Sequence, residues 1–180
     1  MRFLYPCSPL SRKEPDETYA EEFLAAQVTG MACSLFSVED FESGHFNPYP
    51  LFAKQEEILY RGWMLNPHHY GQLLEGIRGK GGFPVTSVAQ YRLCHYLPEW
   101  YPLCKDLTPE TLFVAQGTDY AAAVSERHWS GFFVKDYVKS LTTKRGSVAK
   151  SPEEISEIVA LIEKYPVSYT HLTLPTNREV

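Results

Sequence analysis

The chain has 180 residues, with 17 lysines and arginines against 22 aspartates and glutamates, for a formal net charge of −5. With 44% hydrophobic and 14% aromatic residues it can bury a core, which excludes a disordered chain, and its acidic balance excludes a general nucleic-acid binder, whose affinity rests on a basic face. No uninterrupted apolar run approaches a membrane span, and the opening Met1-Arg2-Phe3-Leu4-Tyr5-Pro6 is too short an apolar stretch for a signal peptide. A cytoplasmic protein without membrane or nucleic-acid partners is therefore expected. Cys7, Cys33, Cys94 and Cys104 form no Cys-x-x-Cys pair, and His68 and His69 are adjacent rather than four apart. The expectation is reduced thiols and no metal site within this chain.

In chain order, residues 2–5 read as a first strand ended by Pro6 and Pro9. Tyr19, Phe23, Leu24 and Val28 have helical spacing, closed by Gly30. Residues 33–38 read as a second strand, 42–50 as a loop, and Ile58-Leu59-Tyr60 as a third strand leading into Arg61-Gly62-Trp63. Asn66 as N-cap, Pro67 at the first helical position and the run Tyr70, Leu73, Leu74, Ile77 predict a helix stopped by Gly79, Gly81 and Gly82. Residues 83–86 follow as a strand. Ser87-Val88-Ala89-Gln90 is a capping box starting a helix that runs into the aromatic segment 91–101, stopped by Pro98 and Pro102. A strand at 111–115 and a helix at 119–128 come next. Ser151-Pro152-Glu153-Glu154 begins a last helix with the stripe Ile155, Ile158, Val159, Ile162. Alternating strands and helices imply a layered α/β fold with a largely parallel sheet, whose ligands sit beyond the carboxyl ends of strands.

Residues 131–140, Gly-Phe-Phe-Val-Lys-Asp-Tyr-Val-Lys-Ser, carry the main chemical signal. Read as one strand, they put Phe133, Lys135, Tyr137 and Lys139 on one face. The two lysines are then about 13 Å apart at ~3.3 Å per residue. Two ammonium groups with an aromatic between them suit a polyanion attached to a flat ring, such as a nucleoside triphosphate. The alternative is an edge strand that carries lysines to discourage pairing with other chains. Residues 140–147 are small, polar and basic, and either fold over phosphates or form a plain surface turn. No Walker motif and no Gly-x-Gly-x-x-Gly fingerprint occurs.

Three segments carry a family resemblance: Ile58-Leu59-Tyr60-Arg61-Gly62-Trp63-Met64-Leu65, Tyr91-Arg92-Leu93-Cys94-His95-Tyr96-Leu97-Pro98-Glu99-Trp100-Tyr101, and Phe132-Phe133-Val134-Lys135-Asp136-Tyr137-Val138-Lys139-Ser140. The chain resembles small bacterial and phage ATP-grasp proteins, in particular the clade named for one arginine and two lysines, over about residues 1–165. The resemblance implies a Rossmann-like pre-ATP-grasp domain at 1–110 and the amino-terminal part of an ATP-grasp domain at 111–166. It implies ATP and magnesium as cofactors and the joining of a carboxylate to an amine through an acyl phosphate, with an amino acid or peptide as substrate. By the same resemblance Lys135 matches the strand lysine that reaches the nucleotide, and Lys139 the second lysine of the clade. Arg61 matches the arginine that binds a substrate carboxylate or phosphate, and Arg92 another nucleotide-contacting cation. The fork of arginine suits carboxylate or phosphate, while lysine supplies a point charge. Without the resemblance, Arg61 reads equally as a surface or capping arginine.

The superfamily's magnesium ligands belong to a carboxyl-terminal part beyond this chain, so the expectation is a fragment without catalysis of its own. Val167-Ser168-Tyr169-Thr170-His171-Leu172 resembles a translated transposon-end adaptor from sequencing libraries. Residues 167–180 are accordingly expected to be a non-native tail of a metagenomic fragment, contributing nothing to the fold. The alternative is a native strand at 167–174, ended by Pro175. Two other functions stay open at this point. One is a non-enzymatic interaction module presenting Trp63, Trp100 and the segment 91–101. The other is a flavodoxin-like domain with a loop-borne phosphate site.

Overall fold

A computed structural model describes residues 1–115, 117–127, 129–136, 147–163 and 171–175. The chain divides into two compact units, Met1–Tyr91 and Arg92–Val180. The break falls inside a helix.

In the first unit, β1 (Arg2–Ser8) is the central strand. It pairs in parallel with β3 (Ala32–Phe36) on one side and β4 (Glu57–Tyr60) on the other, and β4 pairs in parallel with β5 (Phe83–Pro84). β2 (Ser11–Pro15) folds back antiparallel on the last residues of β1. The first strand thus runs through Pro6 instead of ending there. Pro6 sits opposite Phe36, and its carbonyl accepts from the Asp16 amide at 3.0 Å. The tight return at Ser8 to Ser11 makes a hairpin that hydrophobic patterning alone does not reveal, because β2 is mostly polar and exposed.

Side chains alternate along β1, so the sheet buries two faces. Leu4 joins Phe36, Ile58, Tyr70, Leu73, Leu74 and Ile77 on the face covered by α3 (Pro67–Gly79). Tyr5 and Cys7 join Leu35, Tyr19 and Phe23 on the face covered by α1 (Ala20–Val28). Helices on both faces of a mainly parallel sheet are the doubly wound arrangement. α3 follows its sequence signals closely: Asn66 Oδ1 accepts from the His69 amide at 2.9 Å, and the four stripe residues are its buried ones. α1 departs from its expected stripe. Leu24 and Val28 are exposed, and the inward residues are Tyr19, Glu22, Phe23 and Ala26, at i, i+3, i+4 and i+7. A short helix, α2 (Val38–Glu42), capped by Ser37, fills the stretch between the expected strand at 33–38 and the expected loop at 42–50.

The Ser87 capping box forms as expected, with Gln90 Oε1 accepting from the Ser87 amide at 2.8 Å, and opens α4 (Val88–His95). Pro98 then starts a new helix instead of stopping one, because the first helical turn needs no amide donor from it. This is α5 (Leu97–Cys104), which also contains Pro102. Within the aromatic segment Tyr91, Tyr96 and Leu97 are buried, Trp100 and Tyr101 are half-buried, and residues 92–95, 98 and 99 are exposed.

The second unit holds β6 (Thr111–Ala115) and α6 (Tyr120–Val124), capped by Asp119 and shorter than the expected helix. The expected single strand at 131–140 is broken into β7 (Phe132–Phe133) and β8 (Lys135–Asp136). β7 pairs with β9 (Val148–Ala149), and the Val134 amide between β7 and β8 donates to the Ser147 carbonyl at 2.7 Å. Its core joins Val114, Val124, Phe132 and Val134 to Ile155, Ile158, Val159 and Ile162 of α7 (Pro152–Glu163), the stripe read from sequence. β10 (His171–Pro175) lies between β6 and β8, antiparallel to both. Its residues overlap the strand alternative at 167–174.

Candidate functional site

The parallel strands of the first unit lie in the spatial order β3-β1-β4-β5. In such sheets the ligand crevice opens beyond the carboxyl ends where the order reverses, here between β1 and β4. Arg61 is the residue directly after β4, and its amide donates to the Leu4 carbonyl at 2.8 Å, continuing the β1–β4 pairing by one step. The backbone therefore fixes Arg61 at this place, and its side chain projects to the α1 face of the sheet.

There the guanidinium meets Glu22 of α1 fork to fork. Nε donates to Glu22 Oε1 at 2.7 Å and Nη2 to Oε2 at 2.9 Å. The buried Tyr5 hydroxyl donates to the same Oε1 at 3.1 Å. Hydrogen bonding to Arg61 holds the Glu22 carboxyl below the usual carboxylate range, against a smaller upward pull from burial. Glu22 in turn raises the arginine further. Burial, reinforced by the Glu22 charge, pushes the Tyr5 phenol up, so Tyr5 keeps its proton and acts as a donor here. Tyr19 packs edge-on against Trp63 with ring centroids 5.3 Å apart, and its phenol is also raised, first by burial and then by Asp16. Tyr60 donates to the Trp63 carbonyl at 2.8 Å, and the tight turn depends on Gly62, where an added Cβ would enter the Tyr60 ring.

The arrangement is an arginine fork beside an aromatic pair, its carboxylate-recognising geometry already demonstrated on an internal carboxylate. Glu22 is the residue that sequence reading missed. The signal was present: Glu22 shares helical spacing with Tyr19 and Ala26, but a search for apolar stripes passes over a carboxylate on the inward face.

The other expected site residues lie in the second unit. Arg92, on α4, donates through Nε to Glu99 Oε1 at 3.2 Å, and its guanidinium carbon lies 5.6 Å from the centre of the Tyr96 ring. It braces the junction of α4 and α5. Lys135 is half-buried on β8, opposite Thr173 of β10. The expected alternation holds over the described part of its segment: Phe132 and Val134 are buried, while Phe133 and Lys135 are less so. Tyr137, Lys139 and residues 140–146 of the basic loop lie outside the described residues. Among the described residues no group of three or more His, Cys, Asp or Glu side chains could hold a metal ion. No helix among them is long and apolar enough to cross a membrane.

No protein-family model and no curated protein matches this sequence. Solved structures do match in fold. D-cycloserine synthetase superposes with a TM-score of 0.59 at 14% identity, over 98% of this chain and 59% of that one. D-alanine–D-alanine ligase from Bacillus anthracis, solved with ATP, gives 0.59 at 9% identity, over 99% and 59%. A RimK domain ATP-grasp protein from Sphaerobacter thermophilus gives 0.56 at 12% identity, over 100% and 65%. The chain thus spans about three fifths of the length of each ligase that it resembles. Identities this low speak for architecture alone, and the architecture of this chain is the mixed α/β fold of the ATP-grasp ligases.

Proposed function

We propose that the chain belongs to an ATP-dependent ligase of the ATP-grasp type that joins a carboxylate to an amine, with an amino acid or peptide as substrate and an acyl phosphate as intermediate. The observation that carries the reading is Arg61. It stands beyond the carboxyl end of β4 at the reversal of strand order, in a fold shared with ligases, and its fork is shaped for a carboxylate. In this reading Arg61 receives the anionic group of the substrate after exchanging it for Glu22, and the Tyr19–Trp63 pair flanks the substrate's body. Lys135 supplies a point charge to the nucleotide, with Lys139 and Arg92 as further nucleotide cations. Arg92 would have to give up Glu99 to do so.

Magnesium serves ATP chemistry in this fold by drawing charge off the phosphates. The described residues hold no cluster fit for it, so no step is assigned to a metal here.

Isothermal calorimetry of the chain with a non-hydrolysable ATP analogue, competed with flavin mononucleotide, tests the reading. Saturable binding of the analogue that flavin mononucleotide does not displace is expected. Displacement by flavin mononucleotide would move the protein to the flavodoxin-like class, and absence of any nucleotide binding would leave an interaction module.

A further inference from the structure

We infer that the first unit holds a second ligand site, for a small organic anion, in a cavity of about 320 Å³ beyond the carboxyl ends of β1 and β3. Neither the ligase reading nor the Arg61 crevice uses it. Its volume falls at the lower end of small-molecule sites, in the size range of a single aromatic or amino acid and below that of a nucleoside triphosphate. Its floor is the apolar end of β3, where Leu35 and Phe36 are buried, and Pro48 and the exposed ring of Tyr49 form one wall.

The lining is also basic. Arg12 and Lys13, consecutive on β2, both line the cavity. The Arg12 guanidinium reaches Asp40 through one nitrogen only, with Nη2 at 3.0 Å from Oδ1 and 2.9 Å from Oδ2. Its Nε and Nη1 donors make no hydrogen bond among the described residues. Lys13 has no hydrogen-bond or ion-pair partner among them either. The lining thus holds two cations and one acid, Asp40, while the Glu39 carboxylate stands beside it, accepting from Ser37 Oγ at 3.0 Å. Ser37 and Asn47 add polar groups to the lining. The hairpin of β1 and β2 is what brings the two cations over the end of β3, and hydrophobic patterning gives no hint of it.

A carboxylate or phosphate head seated between Lys13 and the free edge of Arg12, with its apolar body against Pro48 and Tyr49, satisfies all of these groups together. Either head group fits the charge, so the test uses both. The full chain is titrated by heteronuclear NMR with phenylacetate, phenyl phosphate and the neutral comparator benzyl alcohol. Saturable shifts centred on Lys13, Ser37 and Tyr49 are expected for one or both anions and not for the alcohol. Lys13→Ala should weaken the anion at least about tenfold, the scale of one charge-assisted hydrogen bond. Asp40→Asn should tighten it, because it releases Arg12 and removes a competing negative charge. Lys13 is exposed and asparagine keeps the shape of Asp40, so these variants keep the fold, which the unchanged dispersion of the spectrum will show. No saturable binding of either anion, equal binding of the alcohol, or an affinity unmoved by Lys13→Ala would each overturn the site. A failure here leaves the ATP test untouched, and failure of the ATP test leaves this site standing.

Discussion

At the scale of single residues the Arg61–Glu22 pair decides most. The pairing holds the Glu22 carboxyl below the usual carboxylate range and raises the Arg61 guanidinium further. A carboxyl depressed in the folded state adds stability above its unfolded pKa and loses it as pH falls through the folded value. The pair should therefore stabilise the first unit at neutral pH and fade from about pH 5 downward. Both side chains are close to half exposed, so the contribution is at most about 1 kcal/mol. Urea midpoints measured across pH should show a smaller acid-side slope in Glu22→Gln than in the parent. Arg61→Lys keeps the charge and loses the fork. In the full-length ligase of the proposed reading it should raise KM for the carboxylate substrate by more than it weakens ATP binding. A fall in ATP affinity with KM unmoved would place Arg61 at the nucleotide instead. For Lys135, calorimetry with the ATP analogue should show Lys135→Ala weaker by about 2–3 kcal/mol, the scale of a hydrogen bond to a charged group. Lys135→Arg should restore only part of that.

At the scale of elements, apolar spacing reads correctly where the helix is flanked by clear caps and fails where an element is short or amphipathic in an unexpected sense. α3 and α7 bury the stripes that spacing predicts. In α1 the same search finds Tyr19 and Phe23, which pack on the sheet with Ala26, but adds Leu24 and Val28, which are 60% and 79% exposed. The contrast is measurable. Leu73→Ala, at a fully buried position, should cost about 2–5 kcal/mol. Leu24→Ala should stay within about 0.5 kcal/mol. Gly82→Ala belongs with the first of these. An added Cβ would come within 2.7 Å of Ile58 and 2.9 Å of both Ile77 and Phe52, an overpacking of about 1–3 kcal/mol. Thermal or chemical denaturation of the three variants side by side checks the order.

At the scale of the whole molecule, the two units carry separate cores, and the tail 167–180 is where sequence and structure part most clearly. The adaptor resemblance assigns it no role, whereas His171–Pro175 pairs along all five residues with β6. Deleting 167–180 decides between them. A middle strand predicts a loss of several kcal/mol as β6 and β8 lose their shared partner, and an extraneous tail predicts a melting change within about 0.5 kcal/mol. The sequence by itself determined the α/β class, the caps at Asn66 and Ser87, the core stripes of α3 and α7, and Arg61 as the residue at a strand's end. All of these are local, set by spacing and by side chains that bond their own neighbours. Only tertiary structure decided that Pro6 lies inside a strand, that Pro98 opens a helix, and that the segment 131–136 is two strands with different partners. It alone also decided that the Arg61 fork closes on Glu22. Those outcomes depend on groups brought together from far along the chain, and for Arg61 and Glu22 a separation of 39 residues hides the pairing from any local pattern.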